Sequence, residues 1–428
     1  MGSSKKDGGK VAKEIYYTGI DIGSSKVCSI VARVGSEGEL KILGTGLVPS
    51  QGMQKGRIEN IGEVQTAVKE SMEEAQRYIG RGMISGIYAG VSGTHISCVN
   101  SKEILDNPGE IDDVTPSRIE QLMEASLPPV DSDREVLHII PIGYGVDGLS
   151  GVRNPVGLHA KQVEVEAHVV TGDAVTLKNT VRAVQGAKVD VHSLVLQSLA
   201  SAESTLTGDE REMGVVLVDI GGATTDLTIY RQGNPWYSAV VPVGGDHLTK
   251  DLSVAVRTPW NTAEEMKVKW GNALPELVRP DEEVVIPSYQ GQPRTVVRRR
   301  DLSEPLHARM VEILKLVLLK VRQSGLRHVP IGGLVLTGGG AELAGVKDLA
   351  VKTLGAPVRI AYPSGIVGLP SQLRKPIFST AVGLLLWGIK HQGEKRQYGN
   401  GVKPSWTSRF QRGRTANVDT RGQKVGAS

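Results

Sequence analysis

One short pattern occurs twice in this chain, about 200 residues apart. The first copy is Tyr17–Val34 (YTGIDIGSSKVCSIVARV), and the second is Val216–Gln232 (VLVDIGGATTDLTIYRQ). Each copy has an apolar stretch ending in Asp-Ile-Gly, a turn of small residues and a second alternating stretch, which predicts a β-hairpin. The second turn is predicted to be one residue longer. Because Asp21 and Asp219 hold equivalent places, the repeat predicts an α/β protein whose two related lobes present their hairpins to one shared cleft.

Size and composition agree with two lobes. A chain of 428 residues exceeds the usual size of a single core, and 39% hydrophobic with 22% charged residues is ordinary for a globular protein. The only cysteines, Cys28 and Cys98, are too few for a disulfide framework or a zinc site, which favours a reducing compartment. The apolar stretches at 311–319 and 381–387 are too short to span a bilayer, and residues 1–14 read as a flexible polar leader without a signal peptide.

The net charge of +4 is unevenly distributed along the chain. From Lys390 onward nine Lys or Arg residues stand against Glu394 and Asp419, so this segment carries +7 and the body carries −3. Residues 391–428 are therefore predicted to be a basic flexible tail. Since no element that reads a nucleic-acid groove accompanies this charge, we expect no nucleic-acid partner.

The periodicity of apolar residues predicts the main elements of the body. Predicted helices are Ile61–Ile79, Ile119–Ala125, Leu177–Gln185, Leu194–Thr205, 261–270, Leu302–Gln323 and Thr380–Lys390, and predicted strands include Val136–Ile140, Gln162–Val169 and Gly333–Leu336.

The two repeated turns have the composition of a phosphate site. Small residues let backbone N–H groups approach an anion, and hydroxyls add hydrogen bonds. The candidate residues are Gly23, Ser24, Ser25 and Lys26 in the first turn and Gly221, Gly222, Ala223, Thr224 and Thr225 in the second. Asp21 would hold Mg²⁺ through water, and Asp219 could order the metal or a water, which makes Asp219 a catalytic candidate as well. One such turn alone is common and more often a plain hairpin, so the pairing of two turns carries the prediction.

Two further motifs extend the candidate site. In LVLTGGGAEL a buried strand runs into Gly338, Gly339 and Gly340, where a Cβ would collide with a flat ring, and a helix is predicted to start there beside the α-phosphate. A dinucleotide site is the poorer interpretation because the G-x-G-x-x-G spacing is missing. Glu264 and Lys267 lie three residues apart on one helical face and could reach ribose and adenine together, although most such pairs are solvated ion pairs.

The order of these motifs resembles the actin and heat-shock-chaperone ATPase superfamily, and within it the bacterial cell-division FtsA family. Matching stretches include YAGVSGTHIS, NPVGLHAKQVEVEAHVVT, VPVGGDHLTKDLSVAVRTPWNTAEEMKVKWGNA and PIFSTAVGLLLWG, over roughly residues 15–390. The resemblance implies a two-lobe actin-like ATPase fold of duplicated ribonuclease-H-like domains with an FtsA-type insertion. It also implies ATP and Mg²⁺ in the cleft, with Gly245 and Glu342 among the nucleotide contacts.

The resemblance also implies a division into subdomains. They are 1A at 15–92 with 169–196 and 378–390, 1C at 93–168, 2A at 197–245 with 331–377, and 2B at 246–330.

Partners follow from the same resemblance. Subdomain 2B would receive the C-terminal peptide of the tubulin-like FtsZ, 1C would meet later divisome proteins, and copies would assemble into protofilaments. The protein would then link the FtsZ ring to the cytoplasmic face of the membrane at the division site.

The family's amphipathic membrane helix is hard to find here. Trp406 and Phe410 with nearby arginines offer only a short, weak anchor between Pro404 and Gly413, and a solvated tail is slightly favoured.

Two departures bear on activity. Ala223 stands where the family usually has glycine, and Gln197 stands where many relatives have glutamate. Gln197 can orient a water but cannot deprotonate it, so hydrolysis should be weak, while an ordinary polar helix start is nearly as good an interpretation of this residue.

An actin-fold kinase would need a general-base aspartate, and Asp226 is predicted to point elsewhere. A pilus-assembly or chaperone ATPase is a further alternative. His95, His138, His159 and His168 lack metal-ligand spacing and are interpreted as structural.

Overall fold

A computed structural model gives the fold for residues 15–35, 39–77, 79, 86–106, 112–286 and 295–391. The predicted leader and almost all of the predicted tail, including Trp406 and Phe410, lie outside these residues.

The elements of the first half are, in chain order, β1 Ile15–Ile22, β2 Lys26–Val34, β3 Leu40–Pro49, β4 Met53–Gln54, β5 Arg57–Ile58, α1 Ile61–Ala75, β6 Ile87–Val91, β7 Ser97–Asp106, β8 Asp112–Asp113, α2 Pro116–Ala125, β9 Arg134–Val146, β10 Leu149–Val152, β11 His159–Ala160, β12 Gln162–Asp173, α3 Ala174–Gln185, β13 Val191–Leu196 and α4 Gln197–Thr205.

The remaining elements are α5 Gly208–Met213, β14 Val215–Ile220, β15 Thr225–Arg231, β16 Asn234–Val241, α6 Gly245–Val256, α7 Trp260–Trp270, β17 Glu283–Ile286, β18 Thr295–Arg298, α8 Arg299–Gln323, β19 Leu334–Thr337, α9 Val346–Leu354, β20 Val358–Ile360 and α10 Ser379–Lys390.

Two five-stranded sheets share one topology. In the first, the order β3-β2-β1-β6-β13 places an antiparallel meander beside two parallel strands, and the second repeats it as β16-β15-β14-β19-β20. We call the sheets with their packed helices the first and second lobes. The duplication predicted from the repeated pattern is therefore present.

The repeated hairpins also share one register. Asp21 lies opposite Cys28, and Asp219 lies opposite Asp226, so seven positions separate the partners in both. Gly23 N donates to Lys26 O and Gly221 N donates to Thr224 O, each at 2.9 Å. Counted between the strand bounds, the second turn (221–224) is one residue longer than the first (23–25), as the sequence predicts, because β15 begins one register position later than β2.

A third sheet is inserted between the halves of the first lobe. Its order is β10-β9-β12-β7, and α2 packs on it through Ile119, Leu122 and Met123. Thr115 caps α2 by accepting from Arg118 N, and Pro116 occupies the first helical position, where its missing N–H costs no hydrogen bond. We call this four-stranded unit the inserted sheet.

The inserted sheet also touches the second lobe. Asn100 Nδ2 donates to Trp236 O at 3.0 Å, and Cys98 Sγ lies 3.1 Å from Ser238 O. The buried His168 ring bridges Asn100 Oδ1 at 2.8 Å and Ser238 Oγ at 3.0 Å. The structural interpretation of His168 agrees with these contacts, which join strands β7 and β12 to β16.

Most predicted elements are confirmed, with differences at their ends. Residues 194–196 belong to strand β13, so the helix predicted from Leu194 begins only at Gln197. The prediction failed there because the periodicity of a short apolar run does not distinguish a strand from a helix.

Close packing between elements explains two glycines of the first lobe. A Cβ at Gly46 would lie 1.8 Å from Ser71 O of α1, and a Cβ at Gly383 of α10 would lie 1.8 Å from Ala200 O of α4.

No helix in the described part of the chain is long and apolar enough to cross a membrane.

Candidate functional site

The two Asp-Ile-Gly bends face one cavity between the lobes. Its volume is about 420 Å³, within the usual size of a small-molecule site. The predicted site residues that line it are Asp21, Gly23, Ser24, Ser25, Lys26, Gln197, Asp219, Gly221, Gly222, Thr224, Gly245, Glu264, Lys267, Gly338, Gly339, Gly340 and Glu342. The fold thus brings together residues from both ends of the chain.

Two predicted residues do not line the cavity. Ala223 is buried in the second bend, and Thr225 is fully buried with its hydroxyl donating to Val243 O at 2.7 Å. Thr225 begins strand β15, so its side chain faces the neighbouring chain segment rather than the cleft. These two residues therefore shape the bend from behind.

Asp21 stands at the end of β1 with two polar partners. Lys26 Nζ lies 3.2 Å from Asp21 Oδ2, and Gln197 Nε2 donates to Asp21 Oδ1 at 3.0 Å. Burial acts against the charged form of Lys26, but the Asp21 carboxylate outweighs it and raises the pKa of Lys26. The ammonium group is thus held charged where the first bend meets the cavity.

Asp219 is the equivalent residue of the second lobe and has different partners. Its Oδ2 accepts from Ser201 Oγ at 2.5 Å and from Thr380 Oγ1 at 2.9 Å. Burial raises the pKa of Asp219, against the effect of these two hydroxyls. Since α4 supplies Ser201 and α10 supplies Thr380, the two helices that pack together between the lobes fix this carboxylate.

The structure adds Asp226, which the sequence had placed away from the site. Its carboxylate is buried and accepts from Ser92 Oγ at 2.5 Å and from Thr224 Oγ1 at 3.0 Å. Both hydroxyls line the cavity, one from each lobe, so Asp226 lies directly behind the wall. Burial raises the pKa of Asp226 to about 7. Asp226 itself does not line the cavity, in agreement with the expectation that it points elsewhere, but it holds two residues that do.

Gly338 and Gly340 bring backbone against the Asp219 strand. Gly338 has φ +82°, and a Cβ there would lie 2.2 Å from Asp219 Oδ1, whereas a Cβ at Gly339 would meet only Ile377 at 3.6 Å. Residues Gly339–Glu342 form a 3-10 turn, and α9 begins only at Val346. A short 3-10 helix therefore starts at these glycines, which line the cavity, while the α-helix of this segment begins six residues after Gly340.

Glu264 and Lys267 of α7 form an ion pair of 2.6 Å at the cavity wall. Lys267 Nζ also donates to Thr249 Oγ1 at 2.7 Å and to Gly245 O at 3.1 Å. This network joins α7 to the first turn of α6. The pair is thus more than a solvated surface contact, because the Lys267 side chain is only 13% exposed.

Several residues at the cavity were missed by sequence reasoning, among them Ser92, Asp246 and Arg299. No local pattern marks them, because each comes from a separate element and only the tertiary fold unites them. Asp246 follows Gly245, which also lines the cavity, and burial raises the pKa of Asp246. Arg299, at the start of α8, is anchored by Trp270 O and Glu282.

No group of three or more His, Cys, Asp or Glu that could hold a metal occurs in the described part of the chain. A site with only Asp21 and Asp219 at the bends suits Mg²⁺, which is bound by one or two carboxylates together with water and substrate phosphates.

The paired sheets and the cleft between them define the class of protein, the actin-like ATPase fold. Among solved structures, the PilM–PilN type IV pilus biogenesis complex matches with a TM-score of 0.61 at 16% identity, covering 87% of this chain and 98% of that one. The MamK double helical filament matches with a TM-score of 0.52 at 13% identity, covering 87% and 98%.

Sequence comparison identifies the family. The family profile "Cell division protein FtsA" matches residues 216–383, and "SHS2 domain inserted in FTSA" matches residues 93–171. The chain is 37% identical over 377 residues to the cell-division protein FtsA of Pseudomonas aeruginosa, covering 88% of this chain and 90% of that protein. It is 38% identical over 387 residues to FtsA of Escherichia coli K12, covering 89% and 91%. The chain therefore belongs to the FtsA family of cell-division proteins.

Proposed function

We propose that the interlobe cavity binds ATP with Mg²⁺, and that the protein is a filament-forming adaptor of the division ring. The observation that carries this proposal is the convergence of two bends with the same register on one cavity. Backbone N–H groups, hydroxyls and Lys26 suit phosphates, and Asp21 and Asp219 offer the oxygen ligands that Mg²⁺ prefers. Bound Mg²⁺ would neutralise phosphate charge, and at most weak hydrolysis is expected.

The remaining cavity residues suit the rest of the nucleotide. Gly338, Gly339 and Gly340 provide a flat wall for the adenosine, and Glu342 stands at the end of this turn. On the opposite element, Glu264 and Lys267 present a carboxylate and an ammonium group to ribose and base. This arrangement supports ATP rather than a bare polyphosphate as the ligand.

Substitution of Gly339 by aspartate tests nucleotide binding. A Cβ at this position meets no atom closer than 3.6 Å, so Gly339→Asp should fold, but its side chain places bulk and a negative charge against the bound nucleotide. We expect 1 mM MgATP to raise the melting temperature of the parent by several degrees, as ligand binding to the native state requires, and to leave Gly339→Asp unchanged.

Gly208→Asp is the matched control, since nothing lies within 4 Å of its Cβ and the first turn of α5 favours an acidic residue. This control should keep the full shift. A parent protein whose melting curve does not respond to MgATP would refute the proposed site.

For the adaptor role, we propose that the region 246–330, taken as subdomain 2B, receives the C-terminal peptide of FtsZ. It carries an exposed apolar pair, Val285 and Val296, which lie opposite each other on β17 and β18 and are each about half exposed. An apolar pair on a two-stranded sheet is a feature that a peptide can cover.

The curated relatives are division proteins, which favours this function over the kinase and pilus-assembly alternatives.

A pull-down with that peptide tests partner choice. We expect the parent to be retained at micromolar concentration and Val296→Glu to bind at least tenfold more weakly, because the glutamate places a charge in the apolar contact. Leu149→Glu, at an exposed apolar position on the inserted sheet, should bind like the parent. No retention of the parent at high micromolar concentration would argue against the adaptor function.

Assembly and location complete the proposal. Copies would form protofilaments, in line with the double helical filament of the structural neighbour MamK, and subdomain 1C, taken as 93–168, would meet later divisome proteins. The basic segment after Lys390 would add weak contact with anionic lipid at about 1 kcal/mol per basic residue near the surface. The protein would then lie on the cytoplasmic face of the membrane at the division site.

A further inference from the structure

The inserted sheet makes a direct contact with the strand that leads into the cavity. Leu196 N donates to Nε2 of the buried His138 at 3.0 Å. His138 lies on β9 of the inserted sheet, while Leu196 ends β13, the edge strand of the first lobe. Since Nε2 accepts this hydrogen bond, it carries no proton, and the imidazole acts as a neutral acceptor.

The residue after Leu196 is Gln197, the first residue of α4. Leu196 is the N-cap of that helix, and its side chain supplies no cap hydrogen bond. The Gln197 side chain reaches the cavity and donates from Nε2 to Asp21 Oδ1 at 3.0 Å. His138 therefore holds the backbone at Leu196, directly before Gln197. Among the described residues that line the cavity, Gln197 is the only one with an amide side chain.

We propose that His138 is a positioning residue for ATP hydrolysis: by fixing Leu196 it sets where the Gln197 amide stands against Asp21 and the attacking water. The inference rests on the proposed function. With its Nε2 committed to Asp21, Gln197 keeps Oε1 to accept a hydrogen bond from water. The water oxygen then bonds to the terminal phosphorus, ADP leaves with the electrons of the broken P–O bond, and the water's proton passes to phosphate and on to solvent.

The same histidine connects two other parts of the molecule to this step. Its ring lies 5.3 Å from the ring of Trp387 on α10, and Trp387 stacks on His391 at 4.1 Å. His391 follows the last residue of α10. A partner that moves the inserted sheet, or a load on the end of α10, would thus act on Gln197 through one imidazole.

Two substitutions separate the acceptor of His138 from its ring. His138→Phe keeps a flat ring against Trp387 and removes the acceptor, whereas His138→Gln restores an acceptor oxygen near the place of Nε2. Measured by phosphate release with saturating MgATP, we expect His138→Phe to lower kcat at least fivefold and His138→Gln to stay within about twofold of the parent. The Kd for MgATP should stay within twofold in both.

A double substitution tests whether His138 acts through Gln197. Gln197→Ala should lower kcat at least as much as His138→Phe, and combining the two should lower it no further, because residues acting in one chain of contacts are not additive. Additive losses, parental kcat in His138→Phe, or a Kd that weakens in step with kcat would overturn the inference.

The outcomes also separate this inference from the proposed function. A parent that binds no ATP refutes the proposed function itself. ATP binding without measurable turnover leaves that function standing and overturns the role of His138, since Gln197 then has no step to serve. If His138→Phe fails to fold, His138→Leu gives the same comparison with His138→Gln.

Discussion

Asp21, Asp219 and Asp226 all stand at the cavity, and their hydrogen-bond partners differ. Asp21 faces Lys26 and Gln197, whereas Asp219 and Asp226 are held by hydroxyls. Burial raises the pKa of the last two, so a cation that binds in the cavity would stabilise their charged forms. The sequence predicted Asp21 and Asp219 because both close a repeated motif. It could not predict the role of Asp226, since that depends on Ser92 from the other lobe.

Gly338 gives a test at the scale of one residue. Its φ is +82°, and an added Cβ would lie only 2.2 Å from Asp219 Oδ1, so Gly338→Ala should suffer both backbone strain and a clash. We expect it to lower the free energy of unfolding by at least about 2 kcal/mol more than Gly355→Ala, which has φ +63° but open space around its Cβ. Urea unfolding measures both. Equal losses would mean that the Asp219 strand is not held as closely as described.

At the scale of elements, the contact between the inserted sheet and β16 is polar and buried. His168, Asn100 and Ser238 form it, with the His168 ring fully buried. Burial lowers the pKa of His168 to about 4. The alternating pattern of Gln162–Val169 predicted strand β12, but not the partner of its histidine, because periodicity tells which face a residue occupies and not which lobe covers that face.

This burial predicts a pH dependence. His168 takes up a proton less readily in the folded protein than in the unfolded chain. As the pH falls below about 6.5, its titration therefore lowers the free energy of unfolding, by up to about 2 kcal/mol at pH 5. The difference in unfolding free energy between the parent and His168→Gln should therefore shrink by that amount from pH 7 to pH 5. Comparing the two proteins cancels the contributions of His95 and Asp226. A difference between the parent and His168→Gln that stays constant from pH 7 to pH 5 would contradict this account.

At the scale of the whole molecule, two sheets of one topology enclose the cavity, and α4 and α10 pack together between them. The repeated pattern and the order of motifs predicted this architecture, since duplicated lobes need duplicated strand turns. The sequence did not predict that the inserted sheet contacts both lobes. Those contacts join backbone carbonyls to single side chains such as Asn100 and Asn234, which carry no periodic signal.

The most direct test of the central claim is a crystal structure of the protein with Mg²⁺ and a non-hydrolysable ATP analogue. We expect one nucleotide per chain, with its β- and γ-phosphates contacted by backbone N–H groups of both bends, 23–26 and 221–224, and the metal near Asp21 and Asp219. A nucleotide held by one bend only, or bound outside the interlobe cavity, would contradict it.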